Sequence, residues 1–268
     1  MHEPMRPGEA RRKIRRSYKL RGFDSDPLAD GLMSRLAYRR AKQAGIRLPP
    51  ILSAAGLTRA QLDDPRARIP VRSQIRFLNG VAVALDDDLL GFHMAQALDP
   101  REVGLIYYVL ASSRTLDDAF ARAARYSQIV NEAVQIRYRQ GRGSEIGYRY
   151  VGVLRHTDRH QIECLMTFLL RFCREFTKQN IRAARVRFAH RSLGKRAATM
   201  RNYFGCEVEF SAKEDEISFS PAVRRLPIRN ADPYLNDLLV RFCEDARARR
   251  AAAPSSLRIE LENALAPR

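Results

Sequence analysis

The feature that most constrains this chain is a change of hydrophobic period near residue 130. Before it, apolar residues recur every three or four positions; from Val134 onward they alternate, and then the longer period returns. The first spacing lays a stripe along a helix and the second paints one face of a strand. A chain that does both in succession has to pack helices against a sheet.

Local signals place the elements. Pro49 and Pro50 precede the short apolar stretch Ile51 to Leu57, and Thr58 with Gln61 has the form of a capping box. Asp63, Asp64 and Pro65 stop that turn, and Ile75, Leu78, Val81 and Leu85 space the next helix. Leu89 to Leu98 continues after the acidic turn Asp86 to Asp88. Thr115 and Asp118 form a second capping pair, opening a helix with Leu116, Phe120, Ala123 and Tyr126 that runs to about Val130. Val134, Ile136 and Tyr138 alternate, Gly141 to Gly143 turn, and Ile146, Tyr148 and Tyr150 alternate back, which predicts a hairpin. A long helix is expected from about His156 to Lys178, burying Ile162, Leu165, Leu169, Phe172, Cys173 and Phe176. Arg185 to Ala189 reads as a strand, and Lys195 to Phe204 as a helix that Gly205 closes. Glu207 to Phe210 and Glu216 to Ser220 read as a strand pair. Asp232 and Pro233 then open a helix through about Arg249, with Leu235, Leu238, Leu239 and Phe242 expected to face inward.

The fold class that follows is α+β: a helical N-terminal half, a mostly antiparallel sheet in the order β-β-α-β-α-β-β, and a closing helix. Residues 1–30, basic and dotted with proline and glycine, are expected to be a tail; 31–254 form the domain, and 255–268 begin a further helix.

Charge narrows the partners. Lys and Arg number 48 against 30 Asp and Glu, a formal charge of +18, and such a surplus attracts nucleic acid, anionic lipid or acidic ligands. No apolar run approaches the ~18 residues that cross a bilayer, and the basic N-terminus lacks the apolar stretch of a secretion signal. Cys164, Cys173, Cys206 and Cys243 show no Cys-x-x-Cys pair, which fits reduced thiols in the cytoplasm.

Signs of catalysis are few. His156 and His160 have metal-ligand spacing on a helix, with Glu163 nearby, but Thr157 stands where a catalytic zinc helix needs glutamate. Gly-x-Ser-x-Gly and Gly-Lys-Ser/Thr are absent, and Gly141-x-Gly143 lies in a hairpin turn. No metal, cofactor or enzymatic activity is expected. Ile51 to Leu62, turning at Gly56, has the outline of a helix-turn-helix; yet only Thr58, Arg59 and Gln61 follow the turn before two carboxylates that repel phosphate. It reads as a packed corner. Tyr107, Tyr108, Tyr126, Tyr148 and Tyr150 fall in elements that should pack together, with Arg125 beside them and His160 at the start of the long helix. These seven are the candidate effector contacts; the alternative is that the tyrosines are core with a wet edge.

Three blocks, Leu48 to Gln96, Gly104 to Glu132 and Arg185 to Leu239, together resemble the arabinose-binding type of N-terminal domain in AraC/XylS-family bacterial transcription regulators. The third is the most similar, with Phe204-Gly205-Cys206, Val208-x-Phe210, Ile217-x-Phe219, Leu226-Pro227 and Asp232-Pro233 in the family's order. The resemblance implies a domain that binds a small effector and forms a homodimer. Its archetypal sugar-binding member has a β-barrel-like domain, whereas the helical first half here reads as α+β. In the family a DNA-binding unit with paired helix-turn-helix motifs would begin near Ser255. Since the sequence ends at Arg268, that unit is expected to be absent, and DNA contact is expected only through it or weakly through the basic surface. The alternatives are a nucleic-acid-binding protein acting through its basic tail and surface, and a metal-dependent enzyme using His156, His160 and Glu163.

Overall fold

The capping signals locate the helix starts in the computed structural model, which describes residues 26–251 apart from 142, 192–193 and 195–196. Asp26–Ala248 form the compact unit considered below. Its first half holds α1 (Leu32–Gln43), α2 (Leu48–Ala55), α3 (Arg59–Asp63), α4 (Val71–Ala84), α5 (Leu90–Ala97), α6 (Leu105–Ala111) and α7 (Leu116–Val130). Thr58 and Gln61 make the reciprocal capping box of α3, and Gly56 turns the chain ahead of it at φ 70°. The Thr115 hydroxyl accepts from the Asp118 N–H at 3.2 Å and starts α7. Leu52, Ala55, Leu57 and Leu62 are buried, so the α2–α3 pair is a packed corner.

Two-residue strands β1 (Leu28–Ala29) and β2 (Ile69–Pro70) pair antiparallel. Ala29 is 1% exposed, so residues 26–30 of the expected tail belong to the fold. The remainder of that tail and the segment 255–268 lie outside the described residues.

The second half builds one sheet from β3 (Val134–Gln140), β4 (Ser144–Tyr150), β5 (Arg185–Arg187), β6 (Val208–Glu209) and β7 (Asp215–Phe219). Its order is β3-β4-β7-β5-β6, antiparallel throughout except between β5 and β6. The register sets Ile136 opposite Tyr148 and Ile146 opposite Ile217, which lines one face with apolar side chains. Between this face and the N-terminal helices runs α8 (His160–Thr177), with 14 of its 18 residues buried, as a central helix requires. Then come α9 (Ala197–Phe204), ended by Gly205 at φ 73°, the short α10 (Pro221–Arg224) and α11 (Pro233–Ala251).

Two expectations are corrected. The long helix begins at His160, because Arg155–Thr157 form a separate 3-10 turn and the Asp158 carboxylate accepts from the Gln161 N–H at 3.1 Å. His156 and His160 therefore do not share a helix face. On α11, Leu235 and Phe242 were expected inside and are 40% and 59% exposed. A polar anchor decides that rotation: buried Asn236 donates to the Val109 carbonyl at 2.8 Å and to the Ser112 hydroxyl at 2.9 Å. Satisfying a buried amide outweighs hiding one more leucine.

At the crossing of α5 and α8, a Cβ on Gly91 would collide with the His160 carbonyl oxygen, so glycine is what allows these helices to approach. Among the described residues no helix is long and apolar enough to cross a membrane.

Candidate effector cavity

Where the helical half meets the sheet, side chains leave a cavity of about 100 Å³. Ile106 and Leu110 of α6 form one wall, Ala123, Ser127 and Val130 of α7 another, and Val134, Ile136 and Tyr148 of the hairpin a third. Leu165, Phe168, Leu169 and Phe172 of α8 close it. A second cavity of about 70 Å³ adjoins it toward α1, and Val103, Val130, Asn131, Leu165 and Phe168 line both. The period-two face of the sheet and the period-3.6 stripe of α8 meet here with rings and branched methyls that do not fill the gap.

Of the seven residues singled out in the sequence, Tyr148 lines this cavity. Tyr107 packs on Phe172 and Phe176 at ring separations of 5.6 and 5.8 Å, and its neighbour Tyr108 is 44% exposed. Tyr126 donates its hydroxyl to Glu244 of α11 at 2.7 Å, and Arg125 meets the same carboxylate. That guanidinium, with the tyrosine, holds the Glu244 carboxyl down at about 2. Tyr150 donates to the Asp158 carboxylate, under the Arg155 guanidinium, 5.1 Å from its ring centre. His160 is buried at the other end of α8. The tyrosines thus serve four separate places. The apolar lining residues were legible only as core, because periodicity marks burial and carries no information about a void.

A second concentration of functional groups surrounds the first turn of α8. Gln161 accepts from Gln74 at 2.8 Å and from Asn131 at 3.0 Å. Arg155 forms a two-armed ion pair with buried Asp215, one contact at 2.6 Å. Glu163, fully buried, has His190 Nε2 at 3.2 Å and His160 Nδ1 at 4.0 Å. Burial pushes the Glu163 carboxyl up to about 8 and holds both histidines down at about 4. Arg159, 3.2 Å from Glu163, pulls the other way without offsetting burial. Glu163 and His160 are buried, the Arg155 and Arg159 side chains reach solvent in part, and among the described residues no three groups converge as a metal site.

A model of the arabinose-binding domain of AraC transcription regulators, N-terminal, matches residues 45–228. The chain belongs to this family. Every residue lining the larger cavity falls inside the matched span, while α11 follows it. Among solved structures, the transcriptional regulator CdpR from Pseudomonas aeruginosa shares the fold of this AraC-type domain. It is 10% identical, with a TM-score of 0.55 over 87% of this chain and 71% of that one. No curated protein matches the sequence.

Proposed function

We propose that this chain is the sensory and dimerisation region of a cytoplasmic AraC-type transcription regulator. In this reading a small effector occupies the cavity between α6, α7, α8 and the hairpin, and α11 joins two copies. The observation that carries the reading is an unfilled cavity, inside the family's matched span, whose walls are tied to a helix with an exposed apolar face. Asn236 ties α11 to α6 through the Val109 carbonyl, and Glu244 ties it to α7 through Tyr126. Any ligand that spreads α6 from α7 therefore moves the anchors of α11. On the outer side of α11, Tyr234 and Phe242 are 77% and 59% exposed with Leu238 between them at four-residue spacing. Such a seam suits pairing with a second copy of itself.

Light scattering on the purified protein tests the dimer: Phe242→Arg should give monomers with an unchanged melting temperature. A wild-type protein that stays monomeric at high concentration would refute the dimerisation half. Thermal-shift measurements against a broad metabolite panel test the sensory half, and indifference to every compound would refute it.

A further inference from the structure

Resting on the effector reading, we infer that the molecule this cavity takes is small, uncharged and mainly apolar, carrying one or two hydrogen-bond acceptors, one of them for the Tyr148 hydroxyl; a sugar does not fit it. No Lys, Arg, His, Asp or Glu lines the larger cavity. An anion there would be buried without a counter-charge, at a cost of several kcal/mol. Three lining residues carry polar side chains: Ser127, Asn131 and Tyr148. The Ser127 hydroxyl accepts from the Ile136 N–H at 3.3 Å. The Asn131 amide is engaged at both ends, donating to Gln161 at 3.0 Å and accepting from the Ala133 N–H at 3.0 Å. Tyr148 is 3% exposed, and its hydroxyl makes no hydrogen bond to any described residue.

The Tyr148 hydroxyl therefore faces the guest without a protein partner, and the Ser127 O–H and the second Asn131 N–H are the other donors left at the wall. A sugar brings a hydroxyl on almost every carbon, and each left unmet costs about 1–3 kcal/mol. A neutral ketone or ester brings one acceptor and covers the remaining walls with carbon. The smaller cavity extends the space toward Leu32, Met33 and Leu36, and methionine adapts readily to a guest's shape. Its own polar groups are occupied: Asp30 accepts from the Leu32 N–H at 3.0 Å, and Gln74 bonds Ser34 and Gln161. An apolar cavity of ~150 Å³ holds a benzene-sized guest in other proteins. A ring in the larger space with a short chain reaching the smaller one fits that scale.

The probes are methyl benzoate, 2-heptanone, toluene, sodium benzoate and L-arabinose, read by thermal shift and titration calorimetry on the full chain. Methyl benzoate and 2-heptanone should raise the melting temperature at millimolar concentration, and benzoate ion and arabinose should not. Tyr148→Phe should weaken methyl benzoate about five-fold, the loss of one hydrogen bond, and leave toluene unchanged. Ala123→Phe, which fills the larger cavity, should abolish binding; Ala123→Leu serves where phenylalanine prevents folding, as checked by circular dichroism. Binding of the neutral probes that survives both fillings overturns the site. Arabinose or benzoate ion binding that either filling abolishes overturns the ligand class while leaving the effector reading in place. Silence from these five probes, with a polar metabolite giving a shift, also overturns the class. Silence from every compound of a broad panel overturns the effector reading itself.

Discussion

Along one helix, α8, the first turn lies among hydrogen-bonding and ionisable side chains, while the second half lies among rings and methyl groups. Gln161 accepts from two other elements, and Glu163 sits between His160 and His190. Further along, Phe168, Phe172 and Phe176 stack on one another at 4.1 and 5.0 Å, and next to them the cavity opens. Buried directional groups are expensive to leave unmet, so Gln161 and Arg155 draw partners from several elements, although His160 Nδ1, His190 Nε2 and one Glu163 oxygen stay without a hydrogen bond. Dispersion loses only a fraction of a kcal/mol per missing neighbour, so the apolar end tolerates a gap. The polar end therefore holds the helix in place, and the apolar end has room for a guest.

Breaking the polar end should have the largest effect. Asp215→Ala leaves Arg155 without its counter-charge and should cost about 3–5 kcal/mol in chemical denaturation. A loss under about 1 kcal/mol would show that this end does not hold the helix. Gly91→Ala forces a methyl into the His160 carbonyl and should cost about 1–3 kcal/mol by the same measurement.

The ionisable cluster sharpens the comparison through pH. His160 and His190 stay neutral in the fold down to about 4, whereas unfolded they protonate near 6.5. Folded Glu163 keeps its proton to about 8, against 4.5 in the unfolded chain. From 4.5 to 6.5 the unfolded state holds two histidine protons that the fold lacks, and lacks one glutamate proton that the fold holds, so stability rises with pH. From 6.5 to 8 the glutamate acts alone and stability falls. Denaturation across pH should therefore show this cluster's contribution greatest near 6.5, and Glu163→Gln should flatten the alkaline side. An unchanged alkaline side would mean that Glu163 is ionised in the fold. The smallest effect belongs to the apolar end: Ala123→Leu should change stability by less than about 1 kcal/mol, since it enters existing space. A cost equal to that of Gly91→Ala would erase the difference between the two ends.

Much of this architecture was legible where the deciding atoms are neighbours in sequence. The Thr58–Gln61 box, the Thr115 cap, the hairpin around residues 141–143 and the Gly205 stop are all settled within a few residues. Periodicity failed on α11, because a distant carbonyl, Val109 O, captures Asn236 and turns Leu235 and Phe242 outward. It misjudged the start of α8, because Arg155–Thr157 form a separate turn and the Asp158 carboxylate, just ahead of the helix, takes the Gln161 N–H. The tyrosines drew attention as a group, yet Tyr126 and Tyr150 spend their hydroxyls on Glu244 and Asp158, and Tyr148 alone among the seven lines the void.

The sequence by itself determined the order of elements, their period and their caps, since these rest on backbone preferences and contacts a few residues apart. Only the tertiary structure decided which face of α11 points outward and where the cavity falls. Both depend on which side chains from distant segments meet, and on whether their volumes fill the space between a sheet and a helix.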